Sequence, residues 1–185
     1  MSQTNGSAAA SAVVEPLADH RAETVAHAPA PLASRIRDKL RDAVLLLRRL
    51  YFVHVWKMDI GEGTAISMSA KLDKTNPRGV HIGTYTVVTF GAAVLSHDYV
   101  NNSNRDVYIG DNCFIGAHAI ILPGVRIGDH CIVAASSLVV RDVPSGSLVT
   151  GNPARVVETN VKTTHWGVRI PRGQDDHPRT GASRT

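Results

Sequence analysis

With only two cysteines in 185 residues and no secretory signal, the chain has no basis for a disulfide framework, and the pair reads as reduced thiols of the core. The first thirty residues contain no continuous apolar region behind a basic start, which is the form such a signal takes. A cytoplasmic protein is expected. The apolar run that ends near Trp56 is broken by Arg48 and Arg49, so it is no membrane span. Strong charge is also missing: the formal net charge is +4 and the pI near 9.3. That mild excess suits an anionic ligand but does not point to nucleic acid, and no nucleic-acid partner is expected. The length predicts one domain with ample apolar content for a core.

What the chain does have is a six-residue period. From Ile109 to Pro144 it reads Ile109-Gly-Asp-Asn-Cys-Phe, Ile115-Gly-Ala-His-Ala-Ile, Ile121-Leu-Pro-Gly-Val-Arg, Ile127-Gly-Asp-His-Cys-Ile, Val133-Ala-Ala-Ser-Ser-Leu and Val139-Val-Arg-Asp-Val-Pro. Each block opens with Ile or Val. The fifth place holds a small or β-branched residue: Cys113, Ala119, Val125, Cys131, Ser137, Val143. A period of this kind outranks local helix or strand propensity in assigning the fold. One aliphatic side chain per short flat face points inward, and a small residue fills the corner beside it. Three such faces close a triangular coil, and coils stacked about 4.8 Å apart pair their backbones as a parallel sheet does. The blocks at Ile109 and Ile127, eighteen residues apart, are nearly identical, so Cys113 and Cys131 should stack on adjacent rungs.

These blocks resemble the hexapeptide-repeat acyltransferases, and among them the sugar O-acetyltransferases of the galactoside, maltose and polysaccharide type. The likeness runs from about Ile60 to Val157. It implies an all-β solenoid, a left-handed parallel β-helix, with one amphipathic helix before it. It also implies acetyl-CoA as co-substrate, with no tightly bound cofactor or metal, and a homotrimer whose donor groove lies between neighbouring coils.

In chain order, residues 1–30 are rich in Ala, Ser, Pro and Thr without a sustained period, and disorder is predicted there. Over 31–57, Leu32, Ile36, Leu40, Val44, Leu47 and Leu50 recur at three- and four-residue steps after Pro31, the pattern of an amphipathic helix. Its polar face carries Arg35, Arg37, Lys39, Arg41, Arg48 and Arg49 against Asp38 and Asp42. Two readings follow: peripheral attachment to an anionic membrane, or packing on the β-helix or a trimer neighbour with the charges left in water. The second is preferred. The β-helix occupies 58–157, with four extra residues, Arg78 to His81, bulging before Ile82. About nine residues, Val100 to Tyr108, leave the coil as a loop. Residues 158–185 form a tail in which Trp166 is the one large anchor, poorly ordered past about Gly173.

Candidate chemistry centres on His97. It holds the fourth, outward place of Val94-Leu-Ser-His-Asp-Tyr at the root of the long loop. An exposed imidazole on a stiff ladder is suited to take a proton from a hydroxyl or amine. The resemblance implies the same: a histidine just before the extruded loop activates the acceptor for direct attack on the thioester of acetyl-CoA. Asp98 is expected to cap the departing loop, or else to orient His97. Thr75 falls in the column of His97 on the preceding rung with Asp73 close by, and both are candidates for the acceptor hydroxyls. The family's donor positions map onto Ala117, Ala135, Arg141 and Arg155, the two arginines serving the nucleotide phosphates. Two departures stand out. Ala134-Ala-Ser-Ser replaces the family's common Gly-Ala-Gly-Ser, and Ala117 replaces a serine near the thioester, leaving backbone N–H or water to hold an oxyanion.

Transfer to a sugar hydroxyl, in surface polysaccharide synthesis, is therefore expected. An N-acetyltransferase for an amino sugar is the near variant, and a non-catalytic β-helix scaffold the distant one. A zinc enzyme of the carbonic anhydrase type would need three converging imidazoles. His81, His97, His118 and His130 do not give the required His-x-x-x-x-His pair.

Overall fold

The computed structural model describes residues 32–170. The expectations for residues 1–30 and for the chain past Gly173 lie outside the described residues. A helix, Leu32–His54, is followed by a triangular parallel β-helix. The first face stacks Asp59–Ile60, Val80–Ile82, Val107–Ile109 and Arg126–Ile127 in that order. The second stacks Ala65–Ile66, Val87–Val88, Phe114–Ile115, Ile132–Val133 and Leu148–Gly151. The third stacks Lys71–Leu72, Ala93–Val94, Ile120–Ile121 and Leu138–Val139. On the second face an antiparallel strand, Ala154–Glu158, closes the ladder over Leu148–Gly151.

The block-opening residues form the core. Ile66, Val88, Ile115 and Val133 are fully buried one above another on the second face, and Val94, Ile121 and Val139 on the third. Fifth-place residues fill the corners and tie the rungs together. Thr64 Oγ1 donates to the Gly83 carbonyl at 2.6 Å and Thr86 Oγ1 to the Gly110 carbonyl at 2.8 Å. Cys113 and Cys131 continue that column as free, buried thiols, with Cys131 N donating to Cys113 Sγ at 3.4 Å. Its hydrogen bonding to Cys131 and burial push the Cys113 thiol well above its ordinary value, so it stays protonated and unreactive. The third place also works across rungs: Asp111 Oδ1 accepts from Thr84 N at 2.6 Å and Asp129 Oδ1 from Asp111 N at 2.8 Å. A Cβ at Gly110 would stand 2.3 Å from Asp129 Oδ1, which explains the Gly-Asp pair that recurs in the blocks.

Fourth places turn the corners. Gly63, Tyr85, Gly91, Asn112, His118, Gly124, His130, Ser136 and Gly146 all have left-handed backbones. Gly146 shows that the register expected at the last block is wrong. Val143 does not fill a corner; it pairs with Ile127 on the first face and opens its own block. Val143 follows Val139 by a step of four residues instead of six, so this corner is cut short. The bulge in the first coil is also displaced: a 3₁₀ turn, Pro77–Gly79, takes up the extra residues, while Val80 and His81 already belong to the strand.

The helix lies with an unexpected face inward. Phe52 is buried, and Arg49 donates to the Gly61 and Ile60 carbonyls while Arg48 donates to the Ala70 carbonyl. Those two arginines pin the helix to the first coil; they are not part of a solvated face. The stripe of Ile36, Leu40, Val44 and Leu47 does not pack on the β-helix of its own chain and is exposed there, with Leu47 at 66%. Among the described residues no helix is long and apolar enough to cross a membrane.

The first part of the expected tail is a strap. Val161 and Thr163 are buried, Thr163 Oγ1 donates to the Asn112 carbonyl at 2.6 Å, and His130 Nδ1 lies 3.0 Å from the same hydroxyl. Trp166 Nε1 donates to the Gly63 carbonyl at 2.7 Å. The strap thus crosses the rungs along the corner between the first and second faces, and His130 is one of its anchors.

Candidate functional site

His97 starts a two-stranded hairpin, His97–Asp98 with Ser103–Asn104, that leaves the corner between the third and first faces. The excursion therefore begins at His97 and ends where Arg105 N donates back to the Ser96 carbonyl at 2.9 Å, three residues before the predicted loop at each end. Neither His97 nor Thr75 below it adopts the left-handed turn seen at other fourth places. The chain departs here instead of turning.

The hairpin root is held by the coil beneath. Asp73 Oδ2 accepts from Ser96 N at 3.0 Å and His97 N at 2.9 Å, while its Oδ1 accepts from Thr75 N at 2.8 Å. Partial burial works to raise the Asp73 pKa, but the backbone donors of Ser96, Thr75 and His97 outweigh it and hold the carboxyl below its ordinary value. Asn76 Nδ2 donates to the Ser96 carbonyl, and Ser96 Oγ to that of Asn76. Asp98 caps the hairpin turn: Oδ1 accepts from Val100 N and Asn101 N, and Oδ2 from Asn101 Nδ2 at 2.7 Å. The Asn101 side chain first, then its backbone, lowers the Asp98 pKa. Of the two roles considered for Asp98, the contacts show the cap.

The imidazole of His97 is half-buried, not freely exposed. Its Nδ1 is enclosed without a hydrogen-bond partner among the described residues, and the Tyr99 ring stands edge-on to it at 4.3 Å. Thr75 Oγ1 lies 3.3 Å from the Tyr99 hydroxyl, and the pairing of Leu72 with Val94 puts Thr75 in the column of His97. Nothing in the repeat pattern marks Tyr99 beyond its place two residues after the histidine.

Arg141 and Arg155 are exposed and flank a cleft of about 140 Å³ at the C-terminal end, floored by Val139, Val143, Val149 and Ala154. Arg141 rises from the same corner as His97, two rungs further on by the pairing of Val94 with Ile121 and Ile121 with Val139, a rise of about 10 Å. Ala117 and Ala135 are neighbours on adjacent rungs, with Ser136 N donating to the Ala117 carbonyl at 2.7 Å. They occupy the corner between the second and third faces, so one chain alone does not bring them to His97. Among the described residues no three His, Cys, Asp or Glu side chains are grouped as a metal ion would require.

Residues 106–141 match the family model of bacterial transferase hexapeptide repeats, described as six repeats. The repeat is that of the bacterial hexapeptide transferases, and the β-helix is left-handed. A Bacillus subtilis protein named "Putative acetyltransferase YvoF" is 39% identical over 105 residues, which is 56% of this chain and 61% of that protein. A 2,3,4,5-tetrahydropyridine-2,6-dicarboxylate N-acetyltransferase of Staphylococcus aureus is 43% identical over 84 residues, 45% of this chain and 32% of that enzyme. The chain thus spans less than two thirds of the length of these curated relatives. A solved hexapeptide-repeat acetyltransferase from Vibrio cholerae shares the fold at a TM-score of 0.54 and 22% identity, over 69% of this chain and 88% of that one.

Proposed function

We propose that the protein transfers an acetyl group from acetyl-CoA to a sugar hydroxyl, in the synthesis of a surface polysaccharide, with His97 as general base. The observation that carries this reading is the fixed root of the hairpin, where an imidazole is held at the edge of the coil two rungs from Arg141, which lines one cleft with Arg155. His97 accepts the proton of the acceptor hydroxyl as its oxygen attacks the thioester carbonyl. The carbon–sulfur bond then breaks and the protonated imidazole returns the proton to the leaving thiolate. Thr75 Oγ1 is the better acceptor-binding group of the two candidates, because both oxygens of Asp73 are engaged by backbone N–H groups. Arg141 and Arg155 supply charge for the nucleotide phosphates.

Ala117 and Ala135 lie on a different edge from His97, and a neighbouring copy in a homotrimer is what would bring such an edge opposite the imidazole. The exposed stripe of Ile36, Leu40 and Leu47 suits that neighbour better than a bilayer, since Arg48 and Arg49 are spent on the first coil. A cytoplasmic location goes with the use of acetyl-CoA.

Transfer to an amine is the second reading, favoured by the likeness to the staphylococcal N-acetyltransferase. Thiol release from acetyl-CoA across a panel of sugars and amino sugars separates the two. Turnover on neutral sugars supports the hydroxyl acceptor, and turnover confined to amino sugars replaces it with the amine. Absence of both turnover and CoA binding overturns the enzyme reading in favour of a scaffold.

A further inference from the structure

We propose that Tyr99 is a positioning residue that orients the His97 imidazole, an inference that rests on the reading of His97 as the general base. A catalytic imidazole is ordinarily oriented by an acceptor at the nitrogen that does not react. Here Nδ1 is buried and has no partner among the described residues, so hydrogen bonding within the described chain leaves the plane of the ring unset. The Tyr99 ring sets it. The two rings meet at 88° with centroids 4.3 Å apart, the edge-to-face arrangement that aromatic quadrupoles favour.

Tyr99 is not held by a core. It is 77% exposed, and such a side chain ordinarily samples several rotamers. Two restraints limit it. Its hydroxyl meets Thr75 Oγ1 at 3.3 Å, and its backbone is gripped between His97 and the turn that Asp98 caps at Val100 and Asn101. Thr75 is itself tied to Asp73 Oδ1, while Asp73 Oδ2 holds His97 N. The contacts close a circuit: His97 to Tyr99, Tyr99 to Thr75, Thr75 to Asp73, and Asp73 back to His97. A tyrosine retained only to fill space would have no reason to stand in solvent with its hydroxyl tied to the preceding coil. This one completes a frame around the imidazole.

Loss of the Tyr99 ring removes an edge contact worth roughly three- to tenfold in the population of the aligned imidazole. The test compares Tyr99→Ala, Tyr99→Phe and His97→Ala by kinetics of thiol release and by NMR of the imidazole C–H signals, identified as those missing in His97→Ala. Tyr99→Ala should lower kcat by roughly three- to tenfold with the KM for acetyl-CoA unchanged. It should also move the imidazole signals, because the ring current of Tyr99 is gone. Tyr99→Phe keeps the ring and loses the tether to Thr75, and should fall between wild type and Tyr99→Ala in both measurements. A Tyr99→Ala enzyme within twofold of wild type while His97→Ala is impaired overturns the proposal, and so do imidazole signals that stay where they were. If His97→Ala turns over at the wild-type rate, the general-base reading is what fails; the imidazole signals of Tyr99→Phe, which keeps the ring current, then still decide whether the tethered Tyr99 orients the ring.

Discussion

Replacing Asp73 with Asn tests the hairpin root with little change in volume. The carboxylate receives three backbone donors, Thr75 N on Oδ1 and Ser96 N and His97 N on Oδ2. An amide keeps one acceptor oxygen and presents an NH₂ where the other stood. In the best orientation the oxygen stays on Ser96 and His97, and Thr75 N faces a second donor. One hydrogen bond to a charged group is lost, worth about 1.5–3 kcal/mol, and two are weakened to ordinary strength. Water reaches this half-exposed site and recovers part of the loss, so the net cost should be about 2–4 kcal/mol. For a chain of this size that corresponds to a fall in Tm of about 5–15 °C. Hydrogen exchange should localise the change to the amide of Thr75 first and to those of Ser96 and His97 after it.

The pH dependence has a definite sign. The folded carboxyl titrates below its ordinary value, so its contribution is present above the unfolded pKa of about 3.9 and is lost as pH falls through the folded value. Wild type and Asp73→Asn should therefore differ at neutral pH and converge in acid. A variant with wild-type Tm at neutral pH and unchanged protection at Thr75, Ser96 and His97 would refute the role assigned to Asp73.

Ile115→Ala removes a fully buried side chain that sits between Val88 and Val133, and should cost about 2–5 kcal/mol in denaturant unfolding; a cost under about 1 kcal/mol would mean that the ladder relaxes around the cavity. Arg141→Glu with Arg155→Glu reverses the charge on both sides of the C-terminal cleft. It should raise the KM for acetyl-CoA about tenfold or more and leave kcat nearly unchanged, since phosphate contacts bind ground and transition states alike. An unchanged KM would place the phosphates elsewhere.

Much of the fold was legible because the repeat states its own geometry. Block openers from Ile60 to Val139 point inward, and fifth-place residues such as Thr64, Ala92 and Cys131 fill corners. The errors arose where the physical cause is not periodic. Val143 follows Val139 by four residues, and nothing in Val-Val-Arg-Asp-Val-Pro marks a shortened corner except Gly146 three places later. Gly146 recovers the left-handed fourth place only if the block is restarted at Val143. The helix has apolar residues on more than one side, and the arginines that would normally mark the solvent face end on backbone carbonyls of the first coil. No pattern in isolation distinguishes those cases. The strap was hidden for a similar reason: Val161, Thr163 and Trp166 bind corners that exist only once the coils are stacked.

At the candidate site the position of His97 could be read from the break in the period, and Thr75 from its column. Its surroundings could not. That Asp73 spends both oxygens on backbone amides, and that Tyr99 folds back on the imidazole, depend on where the hairpin leaves the coil. Ala117 and Ala135 lie on another edge for a reason that is purely geometric, because a three-sided coil separates adjacent corners by a full face.

The most direct test of the account is kcat/KM for acetyl transfer by His97→Ala beside wild type, with the size of the assembly measured in both. General-base assistance is worth about 10²–10⁴-fold, and a loss in that range with the assembly unchanged is the result predicted. A His97→Ala protein that turns over within a few-fold of wild type would contradict it.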